Sequence, residues 1–167
     1  MFKKIDHVEI ITDDLERSVD FYTNVLGFTP KLRQHIERST LGVPLDVVLL
    51  DLGGTAVELL AYSGATVAPR SAGEQLGYRM MALEVEDMDK ALAYLRTKGI
   101  EPSWGPRITE GQYSRAEIRD PHGHRIELRQ WFSPVGARCY RSPIEETRWV
   151  ESTSKGNERS SGPIPGR

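Results

Sequence analysis

This sequence has almost no cysteine, no large excess of positive or negative charge, and no long hydrophobic run. The single cysteine in 167 residues, Cys139, excludes an intrachain disulfide framework and any paired-cysteine redox or zinc motif. With 22 basic and 24 acidic residues, the chain lacks the net basic surface that nucleic-acid binding needs. No apolar run is long enough to span a membrane, and polar residues interrupt the run near the start, which argues against a signal peptide. We therefore expect a cytoplasmic protein with no nucleic-acid or membrane partner.

The composition of the chain changes at residue 133. Residues 133–167 include six serines, four glycines and four prolines, and a segment so poor in apolar side chains cannot offset its ordering entropy. We expect a folded body over residues 1–132, followed by a C-terminal arm and a disordered tail. The arm would dock on the body or on a second subunit, with an exposed extension as the alternative, through Cys139, Tyr140, Ile144, Trp149 and Val150.

The body contains an internal repeat. Residues 1–62 and 78–132 both read as a strand, a helix and three further strands, which predicts two βαβββ modules of an α+β protein. In each module an aspartate, Asp14 or Asp87, precedes the helix as N-cap, and a glycine, Gly27 or Gly99, follows it. The helices are amphipathic because their apolar residues recur at helical spacing, at Leu15, Val19, Tyr22 and Leu26 and again at Met88, Leu92 and Leu95.

Strand alternation sorts the remaining side chains into two faces of the predicted sheets. The face covered by the helices is predicted to hold apolar residues, including Val8, Ile10, Val47, Leu49, Val57, Leu59, Met81, Leu83, Val85, Ala116, Ile118, Ile126 and Leu128. The opposite face is mixed, and is predicted to hold His7, Glu9, Asp46, Val48, Leu50, Glu58, Leu60, Met80, Ala82, Glu84, Arg115, Glu117, Arg119, Glu127, Arg129 and Trp131.

Two glutamates and a histidine hold related places on the mixed face. Glu58 and Glu127 are equivalent in the two modules, and His7 is equivalent to Met80. Carboxylates and an imidazole that converge in a cleft are costly to desolvate unless a cation lies among them. A divalent metal would offset the cost of desolvating these groups. Alternatively, the carboxylates could remain solvated or pair with the arginines of the same face.

The motifs together resemble the vicinal oxygen chelate superfamily, which includes glyoxalase I, methylmalonyl-CoA epimerase, extradiol dioxygenases and drug-resistance proteins. The resemblance runs from Ile5 to Trp131, through DHVEI, DDLERSVDFYTNVLGF, AVELL, ALEVEDMDKALAYLRTKGI and RDPHGHRIELRQ. It implies two paired βαβββ modules that form a U-shaped mixed sheet around a metal, with the helices on the outer face. It also implies a homodimer and a small-molecule substrate.

Metal ligands in this superfamily come from the first and last strand of each module. That rule implies His7, Glu58 and Glu127 as ligands here, for one divalent ion such as Zn, Ni, Fe, Co or Mn. Met80 occupies the fourth position, where metal-dependent members commonly carry histidine, and a thioether is a weak ligand for these ions. The departure disfavours an extradiol dioxygenase and leaves three alternatives: an extra water, Glu9 as a substitute ligand, or a site without metal.

The resemblance implies proton transfer next to a carbonyl of a small substrate, anionic or neutral, as in an isomerase, epimerase or lyase. The metal would polarise the substrate oxygens, and Glu127 or Glu9 would move the proton. The predicted substrate contacts are Arg115, Arg119, Arg129, Leu60, Trp131 and Met80. The alternatives are a metal-free protein that sequesters a small molecule, and a non-enzymatic subunit with a vestigial cleft.

Another histidine pair resembles a metal motif without predicting one. His122 and His124 lie in the segment DPHGH, where Pro121 and Gly123 indicate a tight, exposed turn between two strands. We therefore expect neither histidine to bind metal.

Overall fold

The computed structural model describes residues 3–69, 73–74, 76–109 and 111–133. The predicted arm and tail lie outside these residues. Two βαβββ modules follow one another, which confirms the predicted α+β fold. Their elements are β1 (His7–Ile11), α1 (Leu15–Asp20) with a π-helical continuation (Phe21–Val25), β2 (Thr29–Ile36), β3 (Leu45–Leu52) and β4 (Thr55–Tyr62), then β5 (Met81–Glu84), α2 (Met88–Thr97), β6 (Trp104–Thr109), β7 (Tyr113–Arg119) and β8 (Arg125–Trp131).

Both helices begin and end where the sequence predicted. The Asp14 side chain accepts a hydrogen bond from the Arg17 backbone N–H, and Asp87 accepts one from Lys90 in the same way. These bonds satisfy donors that the first helical turn leaves unpaired. The glycine after each helix, Gly99 in the second module, has a positive φ that other residues rarely adopt. None of the helices among the described residues is long and apolar enough to cross a membrane.

Each module forms a four-stranded sheet in which the first strand lies beside the last. The strand orders are β1-β4-β3-β2 and β5-β8-β7-β6. The pairs β1–β4 and β5–β8 are parallel, and the other neighbours are antiparallel. The two sheets share no hydrogen-bonded strand pair within the described ranges. β1 and β5 therefore each present one unpaired edge.

One apolar core joins the two modules through their helix-covered faces. Tyr22 is fully buried and makes edge-on ring contacts with Phe21 and Phe28, at 5.5 Å between centroids in both cases. Residues of both helices and both sheets belong to the same buried cluster, which includes Ile10, Leu15, Val57, Leu59, Met88, Leu92, Leu95, Ala116, Ile118, Ile126 and Leu128. The helices thus cover the apolar face of each sheet and leave the mixed faces uncovered by them.

The predicted facing of β3 was wrong by one residue. Val48 and Leu50 lie in the helix-covered core, whereas Val47 lies on the mixed face beside Leu60. The strand reads VVLL at its centre, and because these four residues are all apolar, the sequence does not show which of them face the helices. Antiparallel pairing with β4 sets the phase, because Val48 lies opposite core residue Leu59.

The turn between β7 and β8 is not an exposed turn, as the sequence suggested, but a contact between the modules. His122 Nδ1 lies 2.8 Å from Asp13 Oδ1, and the ring's Nε2 lies 2.7 Å from Thr12 Oγ1 and 2.9 Å from Ser18 Oγ. Thr12, Asp13 and Ser18 belong to the first module, at the start of α1. The His122 side chain is only 14% exposed as a result.

Asp120 organises the same turn from a buried position. Its carboxylate accepts hydrogen bonds from the backbone N–H groups of His122 and His124, lies 2.8 Å from His124 Nδ1, and accepts a longer bond, 3.3 Å, from the Tyr22 hydroxyl. Burial raises the pKa of Asp120, but the hydrogen bonds and charge of His124 outweigh burial, so the net pKa lies below its ordinary value. Burial and the nearby Asp120 carboxylate raise the pKa of Tyr22.

We predict that Asp120→Asn lowers the free energy of unfolding at pH 7 by about 1–3 kcal/mol, because an amide cannot replace a buried carboxylate that accepts several bonds. A depressed pKa stabilises the fold above the carboxyl's unfolded-state pKa, and this contribution is lost as pH falls through the folded-state value. Urea unfolding of wild type and variant from pH 3 to 7 should therefore show a difference that shrinks in acid.

Asp89→Asn is the matched control, because Asp89 is an exposed residue of α2. We expect it to change the free energy of unfolding by less than about 0.5 kcal/mol. An equal loss in both variants, or a difference that grows as the pH falls, would contradict the role given to Asp120.

Candidate functional site

Three candidate metal ligands converge where β1 lies beside β4. His7 and Glu9 are two residues apart on one face of β1, and Glu58 lies opposite Glu9 on β4. His7 Nε2 is 3.8 Å from Glu9 Oε1 and 3.8 Å from Glu58 Oε2. One potential ligand atom from each of the three residues lies within 4.8 Å of the others. The parallel pairing therefore assembles a donor set of one imidazole and two carboxylates.

Asp6 orients the imidazole of this cluster. Its Oδ2 lies 3.1 Å from His7 Nδ1, on the side of the ring away from the carboxylates of Glu9 and Glu58. The hydrogen bond to Asp6 is the main reason that the pKa of His7 is raised, and the negative charge of Glu58 adds to it. A carboxylate on the remote nitrogen is the usual second partner of a histidine that binds metal. Sequence reasoning missed Asp6, although an acidic residue directly before the histidine was a visible signal.

The cluster fits a divalent cation. Three donors of borderline and hard type lie close together, the His7 side chain is 35% exposed, and Glu58 is more buried at 19%. Ligand exchange is possible because solvent reaches both His7 and Glu9. The site matches two of the three ligands predicted from the resemblance, with Glu9 in the third place.

Glu127 lies apart from this cluster. Its side chain is 6% exposed, and its Oε1 accepts from Arg129 Nε at 2.6 Å and lies 2.5 Å from Arg129 Nη2. Arg115 Nη1 is 3.9 Å from the other carboxylate oxygen. The group of ligand atoms found among the described residues contains His7, Glu9 and Glu58 without Glu127. Within one chain, Arg129 and Arg115, which are both partly exposed, thus neutralise the second glutamate.

Met80 and Arg119 each form a hydrogen bond with a residue close to them in the chain. Met80 directly precedes β5, and its sulfur accepts a hydrogen bond from Arg79 Nη1 at 3.3 Å. Arg119 lies at the end of β7, where Nη1 donates to the Gly123 carbonyl at 3.0 Å and the side chain remains exposed. Arg119 therefore closes the β7–β8 turn.

Apolar side chains line the mixed face on both sheets. Leu60 is 5% exposed and packs with Leu45 and Val47 on the first sheet. On the second sheet, Trp131 makes an edge-on contact with Tyr113 at 5.1 Å between centroids. Trp131 also lines a cavity of about 130 Å³ together with Ala82, Glu84 and Arg129. Two of the predicted substrate-binding residues, Arg129 and Trp131, therefore border the same cavity.

A larger cavity lies elsewhere and contains none of the predicted site residues. It has a volume of about 500 Å³ and lies between the start of α2 and the strands β6 to β8, where Ser114, Gln130 and Phe132 line it. Gln130 Oε1 accepts the Met88 backbone N–H there, so the polar group nearest the helix is already satisfied. Asp87, Asp89 and Arg107 also line it, but among the described residues they form no group of three potential metal ligands like that of His7.

The atoms of Ser18, His122 and Asp13 follow the order of a hydrolase triad. Ser18 is, however, 1% exposed and lies within α1, so no substrate carbonyl reaches its hydroxyl. The arrangement joins the modules and is not a nucleophilic site.

Comparisons with known proteins agree with the fold. The family model of the Glyoxalase/Bleomycin resistance protein/Dioxygenase superfamily matches residues 4–128. The chain is 34% identical over 117 residues to the uncharacterized protein YwkD of Bacillus subtilis, covering 65% of this chain and 88% of that protein. It is 28% identical over 137 residues to the human mitochondrial methylmalonyl-CoA epimerase, covering 76% and 73% respectively.

A solved structure extends the comparison to three dimensions. A glyoxalase family protein from Enterococcus faecalis is 29% identical and superposes with a TM-score of 0.65, over 77% of this chain and 98% of that one. The region that the family model matches includes β1 and β4, which carry His7, Glu9 and Glu58, and the first part of β8 with Glu127. The chain therefore belongs to the Glyoxalase/Bleomycin resistance protein/Dioxygenase superfamily, as the resemblance in its sequence predicted.

Proposed function

We propose that this protein is a metal-dependent isomerase, epimerase or lyase that transfers a proton next to a carbonyl of a small anionic substrate. The observation that carries the proposal is the cluster of His7, Glu9 and Glu58, with Asp6 on the remote nitrogen of the imidazole. The relation to methylmalonyl-CoA epimerase supports the reaction class. Members with other functions share the fold, so the proposal depends on the site and not on the fold alone.

His7, Glu58 and Glu9 would hold the divalent ion. When bound, such an ion supplies Lewis acidity toward the oxygens of a carbonyl substrate. The ion would also relieve the repulsion between the carboxylates of Glu9 and Glu58, which share the His7 imidazole as their nearest positive partner. Zn, Ni, Fe, Co and Mn all suit this donor set.

Glu127 would accept and return the proton. Its carboxylate is buried in a low-dielectric site, and Arg129 holds one oxygen while the other remains 3.9 Å from Arg115. A positioned carboxylate is an effective base when its orientation is held by neighbours. The wall for the substrate's apolar part would consist of Leu60 and Trp131, which line the two mixed faces.

We propose that the complete site forms across a homodimer. Within the described part of one chain, the group of candidate ligands around His7 does not include Glu127, and the apolar core that the modules share lies on their helix-covered faces and not on their mixed faces. Within the described residues, β1 and β5 each keep one edge without a hydrogen-bonded neighbour, and a second copy could approach there. In that assembly the first module of one chain faces the second module of its partner, and each cleft receives one metal cluster and one Glu127.

A metal-free protein that binds small molecules is the second candidate. Met80 replaces the usual fourth ligand, and Arg129 already neutralises Glu127, so the second module needs no cation. Metal content discriminates the two candidates, because a sequestering protein would use only the apolar and charged walls.

We predict that His7→Ala and Glu58→Gln each abolish stoichiometric binding of Zn, Ni or Co by the purified, untagged protein. Asp6→Asn should lower metal affinity by about tenfold to a hundredfold, because it removes the group that orients the imidazole. Elemental analysis and a competitive chelator titration measure both effects.

His35→Ala is the matched control for metal binding. His35 is an exposed histidine with Asp46 at 2.8 Å and Glu37 at 3.7 Å, so it resembles His7 in charge but lies on β2. The His35→Ala variant should bind metal with the same affinity as wild type. A wild-type protein without bound metal after reloading would exclude the metal-dependent function and favour the binding protein.

We predict a division of roles between Glu9 and Glu127. Glu9→Gln should weaken metal binding, whereas Glu127→Gln should retain the metal and slow proton exchange by about 10²–10⁴-fold. Deuterium incorporation from D₂O into methylmalonyl-CoA and shorter malonyl-type thioesters, followed by mass spectrometry, measures the exchange. No incorporation into any of them by the metal-loaded wild type would contradict the proposed reaction.

A mixture of two inactive variants tests whether the cleft is shared. In a dimer of one His7→Ala chain and one Glu127→Gln chain, a cross-chain arrangement gives one cleft with both changes and one cleft with neither. Activity should therefore recover after the variants are unfolded and refolded together, whereas a cleft built within one chain would leave every cleft with one of the two changes. No recovery from a mixture that forms heterodimers would show that each cleft is built within one chain.

A further inference from the structure

A row of arginines crosses the mixed face of the second sheet. Arg107 on β6 lies opposite Arg115 on β7, and Arg115 lies opposite Arg129 on β8. Like charges directly opposite one another destabilise a sheet unless something neutralises them. Glu84 continues the row on β5, but within the described residues its carboxylate is not within ion-pair distance of Arg129.

The carboxylates nearby neutralise only part of this row. Glu127 binds Arg129 closely and lies 3.9 Å from Arg115. The neighbouring Glu117 is occupied by Arg125 at 3.1 Å and by Arg79 at 3.7 Å. Among the residues that the structure describes, none places a carboxylate within 4.0 Å of Arg107.

Trp104 holds two of these guanidinium groups over one indole ring. The Arg115 Cζ lies 4.8 Å from the ring centroid, and the Arg107 Cζ lies 5.3 Å from it. A bulge between Trp104 and Arg107 puts both side chains on the same face, because three residues of β6 span two of β7. Gly105 permits the bulge, since a Cβ there would lie 2.7 Å from the Arg115 carbonyl oxygen.

Arg115 also carries an unsatisfied donor. Its Nε is buried, and no hydrogen-bond partner for this atom exists among the described residues, although the rest of the side chain is 35% exposed. When a guanidinium stacks on an aromatic face, its N–H groups point outward in the plane of the guanidinium. There they can pair with the oxygens of a carboxylate or phosphate. An unpaired buried donor next to positive charge that carboxylates offset only in part is the arrangement that an oxyanion would satisfy.

We infer that Arg107, Arg115 and Trp104 form an oxyanion-binding subsite for a carboxylate or phosphate group. The inference rests on the proposed function in one respect, which is that the oxyanion belongs to the substrate. Because Arg115 lies 3.9 Å from Glu127, an anion held there is one side chain away from the proposed base. The subsite favours substrates whose acidic group lies close to the carbon that loses its proton.

Titration with inorganic phosphate, and separately with acetate, tests the subsite. Nitrogen-15 NMR of arginine Nε–H groups, at ionic strength held constant with sodium chloride, should show saturable shifts of the Arg115 and Arg107 signals. Arg115→Gln and Arg107→Gln should each weaken binding by about tenfold, since each removes a charge-assisted hydrogen bond. Arg115→Lys keeps the positive charge but loses the planar fork of N–H groups, so it should bind phosphate and acetate less tightly than wild type. This variant keeps the test possible if Arg115→Gln fails to fold.

Arg96→Gln is the control, because Arg96 is a surface arginine of α2 paired with Glu101 at 3.2 Å. It should bind phosphate and acetate as wild type does. Shifts that do not saturate, or an equal loss in the Arg96 variant, would overturn the subsite. The acetate and phosphate arms show which oxyanion the fork prefers.

The His7→Ala background separates this inference from the proposed function. Phosphate binding that persists there supports the subsite independently of any metal, even if the wild type proves to be no enzyme. An Arg107→Gln variant that no longer binds phosphate but still exchanges protons at the wild-type rate would show that the subsite takes no part in substrate recognition. That result would not contradict the proposed function.

Discussion

The parallel pairing of each module's first strand with its last strand sets the position of every candidate ligand. Residues at the two ends of a module become neighbours because β1 lies next to β4 and β5 next to β8. This pairing places Glu58 opposite Glu9 and close to His7, although about 50 residues separate them in the chain. The remaining strands, the helices and the core serve to hold this pair of strands in register.

Electrostatics distinguishes the two modules more clearly than their folds do. The first module carries an excess of carboxylate around His7, which a cation would offset. The second module carries an excess of guanidinium around Trp104, which an anion would offset. A substrate that bears an acidic group and a carbonyl complements both, provided that the two faces meet in one cleft. The proposed dimer provides that meeting.

The fold could be predicted in most respects because its signals are local. Asp14 and Asp87 cap helices whose apolar residues recur at helical spacing, and the repeat shows that the two modules are alike. The facing of β3 could not be predicted, since the strand is apolar on both sides and only its pairing with β4 sets the phase. The burial of His122 was likewise invisible, because its partners Thr12 and Ser18 are more than 100 residues away in the other module.

The sequence by itself determined the family, the two modules and the place of His7, Glu58 and Glu127 in the first and last strands of their modules. These depend on residue type and on short-range spacing, which the chain carries directly. Only the tertiary structure decided that Glu9 and Asp6 accompany His7, and that Arg129 neutralises Glu127. It also decided that Arg107 and Arg115 share one indole. The physical reason is that charge balance depends on distances between strands, and register and bulges set those distances after the chain has folded.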